Sequence, residues 1–272
     1  MKKILKLPTI LKNLTDAIFP PKCLKCGRFL TAEDSCHIGS SAEIEILRSA
    51  LNNPFDQFSK YFCADCLKPQ EGVDSSYSAS DSLSQQDYNL SQQNHQINVQ
   101  AASLYDGVVK ESIHLLKYNG KTALANPLGL LLFHTFIRHY DNKPVDFIVP
   151  IPLYRWRMVK RGFNQSFLLI RNFSHYWLQW KGTSPEWQIM PEILVRRRNT
   201  KSQTGFNRQE RRDNIRGAFA VKKRYALNGK LIGKHVVIVD DVHTTGATTN
   251  EAAKMLIESG ASSVGVIVAA RA

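Results

Sequence analysis

From Ala101 onward the chain alternates between amphipathic segments and short runs of consecutive apolar residues. Apolar positions three and four residues apart predict helices, and unbroken runs rich in Val and Ile predict strands that are buried on both faces. The predicted helices are Asp106–Tyr118, Thr122–Tyr140, Asn164–Trp180, Asn207–Ile215 and Thr248–Ser259. The predicted strands are Val145–Pro150, Ile193–Arg196, Ala218–Val221, His235–Asp240 and Val264–Ala270. This alternation predicts an α/β domain over residues 101–272, with a parallel sheet flanked by helices.

The part of the chain before Ala101 divides into three segments of different composition. Residues 1–19 place apolar side chains at helical spacing with lysines between them, which predicts an amphipathic helix that lies either on the core or on a membrane surface. Residues 20–70 contain all the cysteines. Residues 71–100 are rich in Ser, Gln and Asn, and we interpret them as a flexible insertion.

Two Cys-x-x-Cys pairs predict a small metal-binding module within residues 20–70. Each pair presents two thiolates from one tight turn, and two such turns complete a tetrahedral Zn²⁺ site formed by Cys23, Cys26, Cys63 and Cys66. The 36-residue spacer between the pairs is longer than usual, and Cys36 and His37 within it are alternative ligands. Redox or disulfide use is the other interpretation, although confinement of all cysteines to one quarter of the chain favours a structural zinc module.

The chain carries an excess of positive charge, which is concentrated in one region. The formal net charge is +13, and the stretch from Lys143 to Arg224 contains 18 Lys or Arg against 5 Asp or Glu. Such a field attracts nucleic acid, phosphorylated substrates or an anionic membrane, unless it is simply a soluble basic surface. No signal peptide and no apolar run of about 18 residues is visible, so a cytoplasmic, reducing setting is expected.

The segment Val236–Thr248 combines a hydrophobic strand, two acidic residues and a short polar turn ahead of a helix. Ligands of open α/β sheets bind at the carboxyl ends of strands, where the N–H groups of a turn and of a helix N-terminus attract an anion. Asp240 and Asp241 lie there, where carboxylates accept hydrogen bonds from sugar hydroxyls or help to hold Mg²⁺. The predicted 5′-phosphate loop consists of Thr244, Thr245, Gly246, Ala247 and Thr248.

Other nucleotide and phosphate motifs fit this segment less well. A response-regulator receiver carries its acidic pair after the first strand, whereas here a single predicted strand remains after Asp241. Gly229–His235 lacks the spacing and the hydroxyl of a Walker loop, and the dinucleotide fingerprint G-x-G-x-x-G is absent. Helix capping by Thr244–Thr248 explains one threonine but leaves the acid pair unexplained.

Val236–Thr248 resembles the signature that binds phosphoribosyl pyrophosphate (PRPP) in type I phosphoribosyltransferases, although that signature usually has an aliphatic residue in place of His243. Other segments occur in the order found in the ComF/GntX family, together with a cysteine-rich start: Leu116–Tyr118, Val149–Leu153, Arg161–Gln165, Arg198–Gln203 and Arg211–Phe219. The resemblance omits Glu71–Gln100 and the spacer between the cysteine pairs. It implies a type I phosphoribosyltransferase-like sheet, an N-terminal zinc module, and PRPP or a similar sugar phosphate with Mg²⁺ as ligand.

Two basic groups follow predicted strands. The first comprises Arg155, Arg157, Lys160 and Arg161, enough cations at a strand edge to neutralise a diphosphate. The resemblance implies that this loop contacts pyrophosphate through Arg161, Asn164 and Gln165, unless Asn164 only caps a helix and the arginines are solvated. The second group either closes over bound phosphates, grips a nucleic-acid backbone or forms a solvated face. Its members are Arg196, Arg197, Arg198, Lys201, Arg208, Arg211 and Arg212.

The resemblance implies a part in DNA uptake during natural transformation. A PRPP-binding protein would then handle single-stranded DNA at the cytoplasmic side of the membrane, with the inner membrane and DNA-uptake proteins as further partners. The alternative is an active phosphoribosyltransferase, in which pyrophosphate leaves ribose C1 and an acceptor attacks the developing cation. Nothing in the sequence identifies that acceptor, the oligomeric state or the role of residues 71–100.

Overall fold

The structure is a computed structural model that describes residues 21–30, 54–67, 88–89, 96–200 and 207–272. Several predicted features lie outside the described residues: the helix at 1–19, most of the insertion at 71–100, Cys36, His37 and Lys201. Arg208 is described by its backbone alone.

The described chain is mainly an alternation of helices and strands. The strands are β1 (Tyr88–Asn89), β2 (Gln96–Ala101), β3 (Phe147–Pro150), β4 (Gln188–Ile189), β5 (Leu194–Arg196), β6 (Phe219–Val221), β7 (His235–His243) and β8 (Ser263–Arg271). The α-helices are α1 (Ala64–Leu67), α2 (Gly107–Asn119), α3 (Ala125–Tyr140), α4 (Arg155–Arg161), α5 (Gln165–Ile170), α6 (Phe173–Lys181), α7 (Arg208–Ile215), α8 (Lys223–Leu227) and α9 (Ala247–Glu258). Two 3₁₀-helices cover Pro54–Lys60 and Thr122–Leu124.

The main sheet has the strand order β1-β2-β8-β7-β3-β4. The five strands from β2 to β4 are parallel to their neighbours, and β1 alone pairs antiparallel. This confirms the predicted α/β fold with a phosphoribosyltransferase-like parallel sheet. Strand β7 lies centrally because its run of Val and Ile is buried on both faces, and Asp240 pairs with Val268 of β8 where the run ends.

The predicted insertion at 71–100 is wrong at its C-terminal end. Strand β2 pairs in parallel with β8, so the sheet begins at Gln96 and not at Ala101. Ile97 and Val99 are buried between polar neighbours. The alternation of apolar and polar residues is the ordinary pattern of a strand, but the polar composition of the preceding segment concealed it.

Two further element predictions were wrong. The predicted helix Asn164–Trp180 is divided into α5 and α6, because one apolar stripe continues across a turn that periodicity cannot detect. Helix α4 was missed, since its seven residues include four cations and no consistent apolar face. Strands β5 and β6 were correctly located, but they form a separate antiparallel pair outside the main sheet.

Apolar side chains fill both faces of the sheet, and the cysteine-containing segment packs into one of these layers. Phe58 and Phe62 are fully buried in the same cluster as Leu116 and Leu128 of α2 and α3. The Tyr61 hydroxyl also donates to the Ala123 carbonyl at 3.3 Å. The cysteine module is therefore fixed to the α/β domain.

Within the described ranges, no helix combines the length and apolar character needed to cross a bilayer.

Candidate ligand site at the carboxyl edge of the sheet

The predicted phosphate loop connects β7 to α9 and borders an open pocket. The helix begins where the Asn250 N–H donates to the Gly246 carbonyl at 2.8 Å, and the Thr249 hydroxyl donates to the same carbonyl at 3.1 Å. The pocket has an empty volume of about 240 Å³ and is lined by Asp240 and by residues 242–249. The structure thus brings the loop, the N-terminus of α9 and one acid of the pair around one space.

Gly246 is required by the shape of this loop. Its φ angle is 74°, in the left-handed region that side chains with a Cβ rarely adopt. A Cβ at this position would also lie 3.1 Å from Cε1 of His243 and 3.3 Å from Nδ2 of Asn250. His243, the residue that departs from the usual signature, therefore packs against the turn at Gly246.

Thr245 presents a buried hydroxyl that no described residue satisfies. Its Oγ1 is buried at the pocket wall and has no hydrogen-bond partner among the residues that the structure describes. Buried hydroxyls normally have a partner, so an unsatisfied one beside a helix N-terminus indicates a place for a bound anion. Sequence reasoning placed Thr245 in the loop but could not distinguish it from its neighbouring threonines.

The structure assigns different surroundings to the two acids of β7. Asp240 accepts hydrogen bonds through Oδ1, from the Ser166 hydroxyl at 3.1 Å and from the Asp241 N–H at 2.9 Å, and it lines the pocket. Asp241 Oδ2 lies 2.8 Å from Nζ of Lys117, and its Oδ1 accepts the Val242 N–H at 2.8 Å. Asp240 is therefore the carboxylate available to a ligand or a cation, while Asp241 is neutralised within the protein.

The electrostatics of the pair follow from burial and proximity. Burial raises the pKa of Asp240, and the neighbouring Asp241 carboxylate raises it further, while Lys117 and the Ser166 hydroxyl oppose this shift. Burial lowers the pKa of Lys117, but the attraction of Asp241 outweighs burial and the net shift is upward. Lys117 thus remains an ammonium ion paired with Asp241. Its sequence signal was weak, because Lys117 was noticed only as part of a family motif.

Three arginines, Arg157, Arg161 and Arg196, lie near one another, and Arg196 also interacts with Asp240. Arg157 donates to the Thr200 carbonyl at 2.7 Å, and Arg196 donates to the Thr200 hydroxyl. Burial and repulsion by Arg157 together lower the pKa of Arg196 to about 10, although attraction by Asp240 opposes this shift. The pKa of Arg157 is lowered by burial and by the nearby Arg161. Three guanidinium groups held this close favour an anionic ligand. The sequence placed Arg196 in a different group from the other two.

The predicted pyrophosphate loop is held together by its own side chains. Asn164 caps α5 by accepting the Phe167 N–H at 3.3 Å, and its Nδ2 donates to the Ile151 carbonyl at 3.0 Å. The capping alternative is therefore what the structure shows for Asn164. Gln165 is buried and accepts a hydrogen bond from Arg161 at 3.0 Å. The contact of these residues with pyrophosphate stays a prediction.

The described residues of the second basic group make different contacts and do not form a single surface. Arg198 donates to the Arg216 carbonyl at 2.5 Å, whereas the side chains of Arg197 and Arg212 are exposed. Arg211 of α7 donates to the Thr244 hydroxyl at 2.9 Å. Arg211, which the sequence grouped with the other basic residues of this set, thus contacts the edge of the phosphate loop.

The four predicted zinc ligands come together in space. The Sγ atoms of Cys23, Cys26, Cys63 and Cys66 all lie within 4.8 Å of one another. The Cys26 and Cys63 sulfurs are 3.7 Å apart, close to the separation of about 3.8 Å that follows from tetrahedral geometry with Zn–S bonds of about 2.3 Å. The cluster can hold a metal and is compatible with zinc.

Comparison with known proteins adds information on relationship. The phosphoribosyl transferase domain family matches residues 189–272. The DNA utilization protein YhgH of Escherichia coli K12 is 35% identical over 157 residues, which cover 57% of this chain and 63% of the relative. Competence protein F of Haemophilus influenzae is 33% identical over 135 residues, covering 50% and 54% of the two chains. Competence protein ComFC of Bacillus subtilis is 27% identical over 159 residues, covering 57% and 56%.

The matches show similarity to proteins named as a DNA utilization protein and as competence proteins, and a phosphoribosyl transferase domain at the C-terminal end of the chain. The chain spans between 54% and 63% of the length of these curated relatives. The segment matched to the domain family contains β7, the phosphate loop and α9. The domain match therefore covers the part of the fold that carries the candidate site.

Proposed function

We propose that this protein belongs to the ComF family and binds PRPP or a related ribose-5-phosphate together with Mg²⁺ at the carboxyl edge of its sheet. The observation that carries the proposal is the open pocket shared by the phosphate loop and Asp240. The loop offers helix N–H groups and the unsatisfied Thr245 hydroxyl to a phosphate monoester. Asp240 borders the same pocket, and we place the ribose hydroxyls beside it.

The charges around the pocket match the remaining parts of PRPP. Arg157, Arg161 and Arg196 would face the diphosphate, and Arg211 would approach the 5′-phosphate beside Thr244. Mg²⁺ usually binds through one or two carboxylates together with substrate phosphates, so a single available carboxylate at Asp240 fits this role. Lys117 removes Asp241 from direct metal binding in this arrangement.

The names of the relatives support a proposal about the process in which the protein acts. They are named as a DNA utilization protein and as competence proteins. For this chain we propose a role in DNA uptake, with single-stranded DNA as partner, at the cytoplasmic side of the membrane. DNA-uptake proteins and peripheral contact with the inner membrane belong to the same proposal. Structural Zn²⁺ on the four cysteines would hold the N-terminal module against the α/β domain.

The phosphate site is tested by comparing two similar threonine substitutions. Thr245→Val removes a hydroxyl without a described partner, so it should weaken PRPP binding about fivefold or more while leaving the ligand-free protein equally or more stable. Thr249→Val removes the hydroxyl that donates to Gly246, so it should lower stability by about 1 kcal/mol. Calorimetric titration of PRPP with Mg²⁺ measures binding, and thermal unfolding measures stability.

Asp240→Asn provides the second arm of this test. It should abolish detectable binding of PRPP with Mg²⁺, whereas the exposed Asp213→Asn on α7 should bind like the wild type. Equal affinity of the wild type and Asp240→Asn would remove the proposed site.

Phosphoribosyl transfer is a second candidate function, favoured by the match to the phosphoribosyl transferase domain family. In that reaction the bond between ribose C1 and the diphosphate oxygen breaks, and a new bond forms from C1 to an acceptor nucleophile. Incubation with PRPP, Mg²⁺ and a panel of bases tests it. Pyrophosphate release that depends on one base supports transfer, and release that no base increases supports binding alone.

A further inference from the structure

Helix α4 (Arg155–Arg161) lies almost entirely at the protein surface, and none of its residues is buried. Its exposed apolar side chains are unusually large for a solvated helix: Trp156 is 59% exposed, Met158 43% and Val159 84%. The same helix carries four cations, and the chain contains no acidic residue between Tyr154 and Gly162. A surface of this composition is adapted to a partner that is both anionic and able to cover apolar groups.

Two exposed aromatic rings on this surface are each paired with a cation from the end of α4. Nζ of Lys160 lies 5.3 Å from the centroid of the Trp156 ring. Cζ of Arg161 lies 5.6 Å from the centroid of Tyr118, which is 65% exposed at the end of α2. Beneath Tyr118, the His114 ring packs at 4.8 Å between centroids. These are two supported aromatic platforms, each with a positive charge beside it.

The order of residues around α4 distinguishes a nucleic acid from a membrane. With about 3.6 residues per turn, the exposed arc runs in the order Met158, Arg155, Val159, Trp156 and Lys160. Apolar and basic side chains therefore interleave. A helix that enters a membrane surface separates its apolar face from its basic face. Interleaved cations and aromatic rings are instead the pattern that contacts the phosphates and stacked bases of a single strand.

The remaining face of α4 joins this surface to the candidate ligand site. Arg157 and Arg161 are one helical turn apart and contact Thr200 and Gln165. By contrast, Arg198 and Arg211 of the second basic group contact other parts of the protein. The exposed arc of α4 is thus a cationic surface on the same helix as Arg157 and Arg161, the arginines assigned to the diphosphate in the proposed function.

We propose that α4 and Tyr118 form a binding surface for single-stranded nucleic acid, with bases stacked on Trp156 and Tyr118. Arg155 and Lys160 contact the phosphates of the strand. This surface gives a location to the DNA contact included in the proposed function, and it rests on that function.

Fluorescence anisotropy with a labelled oligothymidylate of about 20 nucleotides tests the surface, since single-strand sites of this kind cover about 4–16 nucleotides. Trp156→Ala should weaken binding about fivefold or more, and the Trp156→Ala/Tyr118→Ala double variant should weaken it further. Trp156→Phe should retain most of the affinity because a ring remains. The matched control is Phe29→Ala, which removes another exposed ring paired with a lysine, at 4.7 Å from Lys22 on the cysteine module.

Three results would overturn the proposal. The first is equal oligonucleotide binding by Trp156→Ala and Phe29→Ala, and the second is tighter binding of the wild type to duplex than to the single strand. The third is a Trp156→Ala protein that loses binding to phosphatidylglycerol vesicles while its oligonucleotide binding is unchanged.

PRPP titration of the same variants separates the two proposals. Trp156→Ala should bind PRPP normally, so unchanged oligonucleotide affinity would reject the surface alone. A wild-type protein that binds no oligonucleotide would reject the surface and the DNA part of the proposed function together, whereas PRPP binding would stand.

Discussion

The contact between Lys117 and Asp241 offers the sharpest test of the site's electrostatics. Asp241 is 5% exposed and the Lys117 side chain is 18% exposed, with 2.8 Å between Nζ and Oδ2. Substitution of Lys117 by Met keeps the aliphatic part of the side chain and removes the charge. The neighbouring acids would then repel each other in a buried setting without a compensating cation.

The size of this effect follows from burial. Removing one partner of a buried ion pair typically costs about 3–5 kcal/mol, because the other charge remains uncompensated. Partial exposure of Lys117 reduces this, so we expect Lys117→Met to lower the free energy of unfolding by about 2–3 kcal/mol. Because the pKa of Lys117 is raised in the folded protein, this lysine contributes its full stabilisation at neutral pH, below its ordinary value of about 10.4, and the contribution is lost as the pH rises through the raised pKa. Measurements at neutral pH should therefore show the full loss.

Urea unfolding monitored by tryptophan fluorescence measures the change. The matched control is Lys110→Met, the same substitution at an exposed position of the same helix, which should change stability by less than about 0.5 kcal/mol. Lys117→Met/Asp241→Asn removes both charges and should recover most of the lost stability. Equal stability of the Lys117→Met and Lys110→Met proteins, or no recovery in the double variant, would refute the reasoning.

Three further predictions concern other parts of the molecule. Burial raises the pKa of Asp240 to about 7. Because this value lies above that of the unfolded chain, the carboxyl group destabilises the folded protein as the pH rises from about 4 to about 7. Asp240→Asn should therefore increase the free energy of unfolding by about 2 kcal/mol at pH 8 and by little at pH 4. Metal analysis should find about one zinc per chain, and Cys63→Ser should lose it and lower the unfolding midpoint by at least about 5 °C. Gly246→Ala should lower stability more than Gly182→Ala, because both glycines have positive φ but only Gly246 is crowded by His243. Calorimetry should also show that Gly246→Ala loses affinity for PRPP.

The sequence by itself located the features whose residues are close together along the chain. The phosphate loop was found because strand, turn and helix follow one another within residues 236–248, and each has a local signature. The cysteine pairs were found for the same reason, since each Cys-x-x-Cys turn is complete in four residues. Parallel β-sheet was predicted from alternating elements, because continuous apolar runs occur only in strands covered on both faces.

Tertiary structure alone decided which polar groups meet in the site. Ser166 reaches Asp240 across 74 residues of chain, and Arg157 reaches Thr200 across 43. Periodicity reports which face of an element is buried, but it carries no information on which distant side chain lies opposite. For the same reason the sequence treated Asp240 and Asp241 as equivalent, whereas folding placed Lys117 against one and the open pocket against the other.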